Sequence, residues 1–298
     1  MTTSPTAAAA HVARLTPLII ACLAATWLIW GSTYLAISWA LISLPPYWQM
    51  GTRFLIAGAG LLLYMRLRGA SMPTTLQWRN ALIIGGLMLG GGMGGTALAE
   101  ATVSSGIVVT FIGVIPAMIA LFNMAFGIRP ARIEAVGIGI GMAGVLMLTQ
   151  GDNFSASRAG LLAISSASLC WSLGSVLSQQ RFALANGAVG FASEMLCGGV
   201  LLMLISWLRH EQPTWPPDPK ALWSWVYLVV FGSLLAFNAY MVLLARASAA
   251  LASSYSFVNP VIALLLGIAL NGEIVSSYEW LAALVILAGV VLVVLGRR

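Results

Sequence analysis

The sequence predicts an all-α, polytopic membrane protein with ten transmembrane helices arranged as an inverted 5+5 repeat. Three observations support this prediction: the composition, ten apolar stretches of spanning length, and a second half that repeats motifs of the first. Of the 298 residues, 60% are apolar and 7% are charged, against roughly 45–50% and about 25% in soluble domains. Eight acidic and fourteen basic side chains cannot cover a globular surface of this size. The composition therefore excludes a soluble enzyme, a disordered chain and a collagen-like fibre.

Ten apolar stretches are long enough to cross a bilayer, which takes about 20 helical residues. Turn-forming residues such as Pro45-Pro46 and Arg129-Pro130 separate them. The predicted spans are Leu15–Trp39, Tyr47–Met65, Asn80–Ala99, Ser104–Phe126, Ile133–Gln150, Gly160–Gln180, Gly187–Leu208, Ala221–Leu244, Ala249–Leu270 and Ser277–Leu295. We expect the first span to be an uncleaved helix rather than a secretory signal, because nine further spans follow it.

The basic residues between the spans predict the orientation, since cytoplasmic loops carry an excess of Lys and Arg. With the N-terminus in the cytoplasm, ten bases lie inside and three lie outside. The inner set is Arg14, Arg66, Arg68, Arg79, Arg129, Arg132, Arg181, Arg246, Arg297 and Arg298, and the outer set is Arg158, Arg209 and Lys220. This bias predicts that both termini lie in the cytoplasm.

The second half of the chain repeats motifs of the first at a spacing of 141–145 residues. Trp30-Gly31-Ser32-Thr33 corresponds to Trp171-Ser172-Leu173-Gly174, and Gly144 corresponds to Gly289. Each predicted copy, 1–150 and 151–298, has five spans. Because five is an odd number, the second copy must enter the membrane upside down. Inverted repeats around a midplane site are the architecture of secondary transporters.

These motifs also resemble those of a known family. Trp30-Gly31-Ser32, Pro45-Pro46 and Arg53-Phe54-Leu55 look like the opening of the ten-helix EamA-type members of the drug/metabolite transporter superfamily. Asn271-Gly272-Glu273 and the Ala288-Gly289-Val290 stretch are similar to the close of that family's repeat. The resemblance covers nearly the whole chain and implies an inner-membrane exporter of small metabolites. One position departs from the pattern: the family's acidic residue after glycine is Glu273 in the second copy but Ile128 in the first.

Ionisable residues and prolines inside the predicted spans are candidates for gating or structural roles. Arg53 and Glu194 lie within spans, where a charge is costly unless it faces the interior or a partner. A shift of 141 residues relates them, so a gate or coupling pair is one interpretation; the preferred one is two separate structural anchors that reach polar groups. Glu100 ends the third span, where solvation alone can accommodate it. Pro116 and Pro260 predict matched kinks in spans four and nine.

Aromatic and neutral polar side chains predict a substrate cavity. Trp27, Trp30 and Tyr34 recur at i, i+3 and i+7 and so share one helix face. The predicted substrate-binding residues are Trp30, Tyr34, Trp171, Asn238, Tyr240, Ser254, Tyr255 and Asn259. The alternative roles are anchoring at the membrane interface for the aromatic residues and hydrogen bonding between helices for the polar ones.

Glycine-rich segments predict close helix packing rather than a nucleotide site. Residues Gly139–Gly144 fit the dinucleotide-binding pattern G-x-G-x-x-G, but that motif requires a preceding strand and here lies inside one apolar span. The third span carries seven glycines between Gly85 and Gly95. Small residues let helices approach closely, and glycine makes a helix easier to bend.

The predicted function is export of small metabolites by alternating access, with neutral and aromatic amino acids as the first candidates. A sugar-phosphate or nucleotide-sugar antiporter of the same fold is one alternative, although it would need cavity cations and only Arg53 is available. An integral-membrane enzyme that modifies lipid is another, although it would need converging acid–base or metal-binding groups. We expect no enzymatic activity, cofactor, metal or nucleic-acid partner. The expected partners are a small-molecule substrate and membrane lipid, with the chain acting as a monomer.

Overall fold

The computed structural model describes residues 16–103, 108, 111–148, 157–271 and 276–296, and every regular element in these ranges is helical. The helices are α1 (Pro17–Ala40), α2 (Pro46–Leu67), α3 (Thr75–Glu100), α4 (Ile115–Met124), α5 (Arg132–Leu148), α6 (Arg158–Gln180), α7 (Ala188–Leu208), α8 (Pro219–Arg246), α9 (Tyr255–Asn271) and α10 (Ser277–Leu295). One helical turn, Ala249–Ala252, precedes α9. Arg14, Ser105-Gly106, Gly151-Asp152-Asn153, Glu273, Arg297 and Arg298 lie outside the described residues.

Seven helices within these ranges are long and apolar enough to cross a membrane: α1, α3, α6, α7, α8, α9 with its preceding turn, and α10. The predicted spans that correspond to the other three helices are less clear. α4 is apolar but has 10 residues, α5 has 17 residues, and α2 carries Arg53 and Arg66 within its 22 residues. Length and composition thus support a multi-pass, all-helical membrane protein with seven candidate spans among the described residues.

Side-chain caps explain where several helices begin. Thr74 and Gln77 form a capping box, in which each side chain bonds the other residue's backbone N–H, so α3 begins at Thr75. The predicted third span begins five residues later, at Asn80, because Gln77 and Arg79 make the first helical turn too polar to count as part of an apolar stretch. Ser276 and Glu279 form the same box before α10.

The fourth and ninth predicted spans are not continuous helices. A turn at 113–114 precedes α4, so Pro116 lies in the first helical turn, where its missing N–H is tolerated, rather than at a kink. A second turn at 253–254 precedes α9, and Pro260 lies inside that helix. The interruptions therefore do not coincide with the two prolines. Pro116 and Pro260 are 144 residues apart, so the positions in the first half that correspond to the second turn are 109–110. These two residues lie outside the described ranges.

Two helices contain π-helical segments at corresponding positions in the two halves. The first, π1, spans Gly86–Met93 within α3, and the second, π2, spans Leu228–Phe237 within α8. A shift of 142 residues places the start of π1 on the start of π2. π-Helical turns are rare and occur often at functional sites. The dense glycines of the third span were expected to make it bendable, and they fall largely within π1.

Two antiparallel helix pairs join the halves. In α2 and α7, Gly51 lies against Met203 while Gly58 lies against Ala192, so residue numbers rise in opposite directions. In α5 and α10, Gly137 lies against Val293 and Gly144 lies against Ala282 and Ile286. Each pair consists of helices at corresponding places in the two predicted copies. Large apolar side chains such as Leu63 on α2 and Leu284 on α10 point away from the bundle, as expected for surfaces that face lipid.

The glycine motif that imitates a nucleotide site is confirmed as a packing motif. Gly141 and Gly144 lie inside α5, where a Cβ on Gly141 would contact the Phe257 ring at 3.1 Å. On the facing helix, a Cβ on Gly289 would lie 2.5 Å from the backbone nitrogen of Gly141. Only glycine permits this close approach of two backbones.

We expect Gly289→Ala to lower the stability of the detergent-solubilised protein by about 1–3 kcal/mol, the usual range for overpacking. Gly139→Ala is the matched control, because nothing lies within 4 Å of a Cβ at that position and alanine favours the helix. Thermal unfolding of both variants measures the difference. Equal melting temperatures would contradict the close packing of α5 on α10.

Candidate functional site

Four aromatic side chains from four helices form a cluster in the interior. Trp30 of α1 lies 5.6 Å from Trp171 of α6, 5.2 Å from Tyr240 of α8 and 4.7 Å from Tyr255 of α9, measured between ring centroids. Tyr240 also lies 5.2 Å from Trp171 and 5.5 Å from Tyr255. Because edge-to-face pairs at such distances are attractive, the cluster holds helices of both halves together around Trp30.

Hydrogen bonds orient two of these rings, Trp30 and Tyr240, whereas the indole nitrogen of Trp171 is buried without a partner. The Trp30 indole N–H donates to the carbonyl of Gly232 in π2 at 3.3 Å. Tyr240 shares a hydrogen bond of 2.8 Å with the Ser175 hydroxyl. On the neighbouring side, the amide of Asn259 donates to the Tyr34 hydroxyl at 3.3 Å. The aromatic wall is therefore lined with hydroxyl and amide groups at its edges.

A small central cavity lies beside the cluster. It has a volume of about 40 Å³, which is room for about three water molecules. Its lining residues are Trp30, Thr33, Tyr34, Ile37, Gly92, Met93, Thr96, Ile112, Ile115, Ala167, Ser168, Trp171 and Tyr255. They come from both halves and are mainly apolar, with a few hydroxyl groups. The cavity is too small for even the smallest amino acid, so a substrate can enter only after the helices around it move apart.

A second, larger cavity lies beside the first turn of α4. It has a volume of about 280 Å³ and is lined by residues that include Asn123, Arg129, Glu134 and Gln179. Pro116 lines this second cavity, whereas the preceding residue, Ile115, lines the central one. The first turn of α4 therefore contributes residues to the walls of both cavities.

The structure places four of the eight predicted substrate-binding residues, Trp30, Tyr34, Trp171 and Tyr255, in the cavity wall. The other four lie around it. Tyr240 belongs to the aromatic cluster. Asn259 does not line the cavity but donates a hydrogen bond to Tyr34, which does. Ser254 accepts a hydrogen bond from the Trp27 indole at 3.0 Å.

Asn238 was predicted to bind substrate, but its side chain hydrogen-bonds within its own helix. Its amide donates to the carbonyl of Leu234 at 2.7 Å, within its own helix. It therefore satisfies backbone groups at the end of π2 and is not among the residues that line the central cavity.

Three ionisable side chains are buried near the site. Arg53 is fully buried; its Nε donates to the Ser233 hydroxyl at 3.0 Å, and its Nη1 and Nη2 have no hydrogen-bond partner. Both carboxylate oxygens of Glu194 are buried without a partner, so no hydrogen bond joins Glu194 to Arg53. Instead, Arg53 interacts electrostatically with Glu100. The Glu100 oxygens are also buried, which corrects the expectation that solvation accommodates this residue.

Sequence reasoning missed several residues of the cavity wall. Thr33 and Ile37 follow Trp30 at i+3 and i+7 on α1, so the helical period of the first span could have found them. Ser168 precedes Trp171 by three residues and carries the same signal on α6. Gly92 and Thr96 lie in and just after π1, where an α-helical period does not predict which residues share a face.

Similarity to known proteins agrees with this architecture. The EamA-like transporter family matches the chain twice, at residues 15–150 and 158–295. The chain is 43% identical over 274 residues to the uncharacterized inner membrane transporter YedA of Escherichia coli strain K12, covering 92% of this chain and 89% of the relative. It is 25% identical to the uncharacterized transporter sll0355 of Synechocystis, covering 91% and 88% of the two chains.

The fold also occurs in a solved crystal structure. That protein is 24% identical, has a TM-score of 0.76 and aligns over 92% of this chain and 95% of its own. At this identity the similarity concerns the fold alone. The double family match and the similarity to YedA cover almost the full length of the chain. It is therefore a multi-pass membrane protein that belongs to the EamA-like transporter family of the drug/metabolite transporter superfamily.

Proposed function

We propose that this chain exports small neutral metabolites, with neutral and aromatic amino acids first among them, by alternating access across the inner membrane. The observation that supports this proposal most directly is the small aromatic cavity, which is walled by helices from both halves. Alternating access moves one half against the other, so such a cavity would open to each side in turn. The chain would do this as a monomer and without a cofactor.

Helix packing and the double family match support ten spans in two inverted units. The family matches separately at 15–150 and 158–295. The corresponding helices α2 and α7 are antiparallel, as are α5 and α10, which is the relation expected of inverted copies. In this arrangement α2, α4 and α5 complete the count of ten.

The cavity chemistry favours a zwitterion over an anion. Its lining is aromatic and aliphatic with hydroxyl groups from Thr33, Tyr34 and Thr96. No cation is among the described residues that line the cavity, and Glu100 offsets the charge of the nearby Arg53. A phosphate ester carries more than one negative charge and would lose its hydration there without full replacement, which disfavours the sugar-phosphate alternative. An amino acid has no net charge, and aromatic walls can contact varied side chains. We therefore propose broad specificity and low affinity.

Uptake into vesicles that contain the reconstituted protein tests this function. We expect transport of phenylalanine and alanine, and none of a sugar phosphate. Trp171→Ala should weaken phenylalanine transport by about two- to twelvefold, since one ring contact is worth about 0.5–1.5 kcal/mol, and alanine transport less. Equal losses for both substrates would make Trp171 a scaffold residue, and robust transport of the sugar phosphate would refute the substrate class.

The excess of ten bases over three supports cytoplasmic termini. In a background without the native cysteines, single cysteines at Asn153 and Gln212 should react with an impermeant thiol reagent in intact cells. Labelling of both positions only after lysis would reverse the proposed orientation.

A further inference from the structure

Two buried charges of opposite sign lie near the central cavity without hydrogen-bond partners for most of their polar atoms. Arg53 of α2 uses only Nε, which donates to Ser233; Nη1 and Nη2 are buried and unpartnered. Both carboxylate oxygens of Glu100, at the end of α3, are also buried and unpartnered. Such groups are strongly unfavourable in a membrane protein's interior unless something satisfies them.

The two groups are neighbours that do not touch. Each interacts electrostatically with the other, yet no hydrogen bond joins them. If the pair served only to neutralise itself, a direct Arg–carboxylate contact would be the expected arrangement, because that geometry is bidentate and strong. The separation leaves donors on Arg53 and acceptors on Glu100 available to a third group.

Both charges lie near residues that contribute hydroxyl groups to the cavity wall, although neither side chain is itself part of that wall. Glu100 follows Thr96 of the cavity lining by one helical turn, and it interacts electrostatically with the Tyr34 hydroxyl. Arg53 approaches from the other side: a Cβ on Gly232 would lie 3.6 Å from its Nη2 and 3.4 Å from Thr33, which also lines the cavity. The aromatic cluster borders the remainder of the cavity.

We propose that Arg53 and Glu100 bind the main-chain groups of an exported amino acid, with Arg53 taking the α-carboxylate and Glu100 the α-ammonium. The substrate's side chain then lies against Trp30 and Trp171. A zwitterion brings one charge of each sign, so it satisfies both protein groups and leaves the buried site with no net charge. This inference rests on the proposed function, because it assigns the site for that function's substrate class.

The test compares L-phenylalanine with phenethylamine, which lacks the carboxylate, and with 3-phenylpropanoate, which lacks the ammonium. Competition with radiolabelled phenylalanine on the purified full-length protein gives the relative affinities. The wild type should prefer phenylalanine over each analogue by about tenfold or more, the usual worth of a hydrogen bond to a charged group. Glu100→Gln should lose the preference over 3-phenylpropanoate, and Arg53→Gln should lose the preference over phenethylamine.

Charge-conserving and matched variants make the result decisive. Glu100→Asp should retain the preference for the ammonium, which shows that the site still folds. Glu194→Gln removes another buried, unpartnered carboxylate and should leave both preferences intact. Wild-type protein that binds phenylalanine and both analogues equally would overturn the inference, as would a uniform loss for all three ligands in Glu100→Gln. Binding of no amino acid by the wild type would instead refute the proposed function.

Discussion

Oxidation of a Gly91→Cys variant should abolish transport, and a reductant should restore it. Gly91 lies in π1 of α3, and Cys170 lies opposite it on α6. A Cβ on Gly91 would lie 2.8 Å from both the Cβ and the sulfur of Cys170. Disulfides need a Cβ–Cβ distance of about 3.5–4.5 Å, so a shift of less than about 1 Å lets a single substitution form a cross-link with the native cysteine.

The cross-link should abolish transport because the central cavity is too small for a substrate unless the helices move. About 40 Å³ cannot hold an amino acid, so transport requires relative movement of the helices that enclose it. α3 belongs to the first half and α6 to the second, and Gly92 and Trp171 beside the cross-link both line the cavity. A covalent bond between these helices would hold the two halves in the closed arrangement.

Vesicle uptake before and after oxidation measures the effect. Gly91→Ser is the steric control, and Gly91→Cys with Cys170→Ser is the chemical one; neither should respond to oxidant. Full transport by a variant whose cross-link is shown to be complete would mean that α3 and α6 move as one body.

Replacement of Trp30 by alanine should cause the largest loss among the aromatic residues. Trp30 contacts Trp171, Tyr240 and Tyr255 and donates to the carbonyl of Gly232. Removing a buried tryptophan typically costs about 3–5 kcal/mol. Three ring contacts of about 0.5–1.5 kcal/mol each correspond to at least about a tenfold loss of transport.

The measurement is thermal stability together with uptake per folded protein. Trp30→Phe should retain most ring contacts and lose only the hydrogen bond to Gly232, with a smaller cost of about 0.5–1.5 kcal/mol. Trp223→Ala is the matched control, since that side chain is 69% exposed. A Trp30→Ala protein as stable and active as this control would show that the cluster is not the centre of the site.

Apolar patterning predicted the helices well because a long apolar segment that crosses lipid must satisfy its backbone polar groups internally, as a helix does. All seven candidate spans correspond to predicted stretches, and the matching motifs Trp30 and Trp171 do meet in the interior. The predicted third span begins at Asn80, five residues inside α3, because polar residues alternate with apolar ones in the first helical turn at the Thr74–Gln77 capping box and weaken the apolar signal. The interruption at 253–254 was missed because serine occurs in transmembrane helices as well as in turns.

Tertiary partners could not be predicted from spacing alone. The correspondence between Arg53 and Glu194 left a coupling pair and two separate anchors open. No hydrogen bond joins the two side chains, and packing places Arg53 against Ser233 of α8 and near Glu100. Asn238 was expected at the cavity because its depth is right. It lies directly after π2 and bonds its own helix, since the wider turns alter which residues share a face.

The π-helical segments give α3 and α8 a way to flex that suits a solvent without water. A helix in hydrocarbon cannot bend by opening backbone hydrogen bonds, since each unsatisfied group there is costly. In π1 and π2 the amides can exchange bonds to the fifth preceding carbonyl for bonds to the fourth, so the number of bonds stays constant while the axis tilts. Trp30 already occupies the Gly232 carbonyl of π2. Through this bond the aromatic cluster restrains π2, one of the two segments at which the helices can bend.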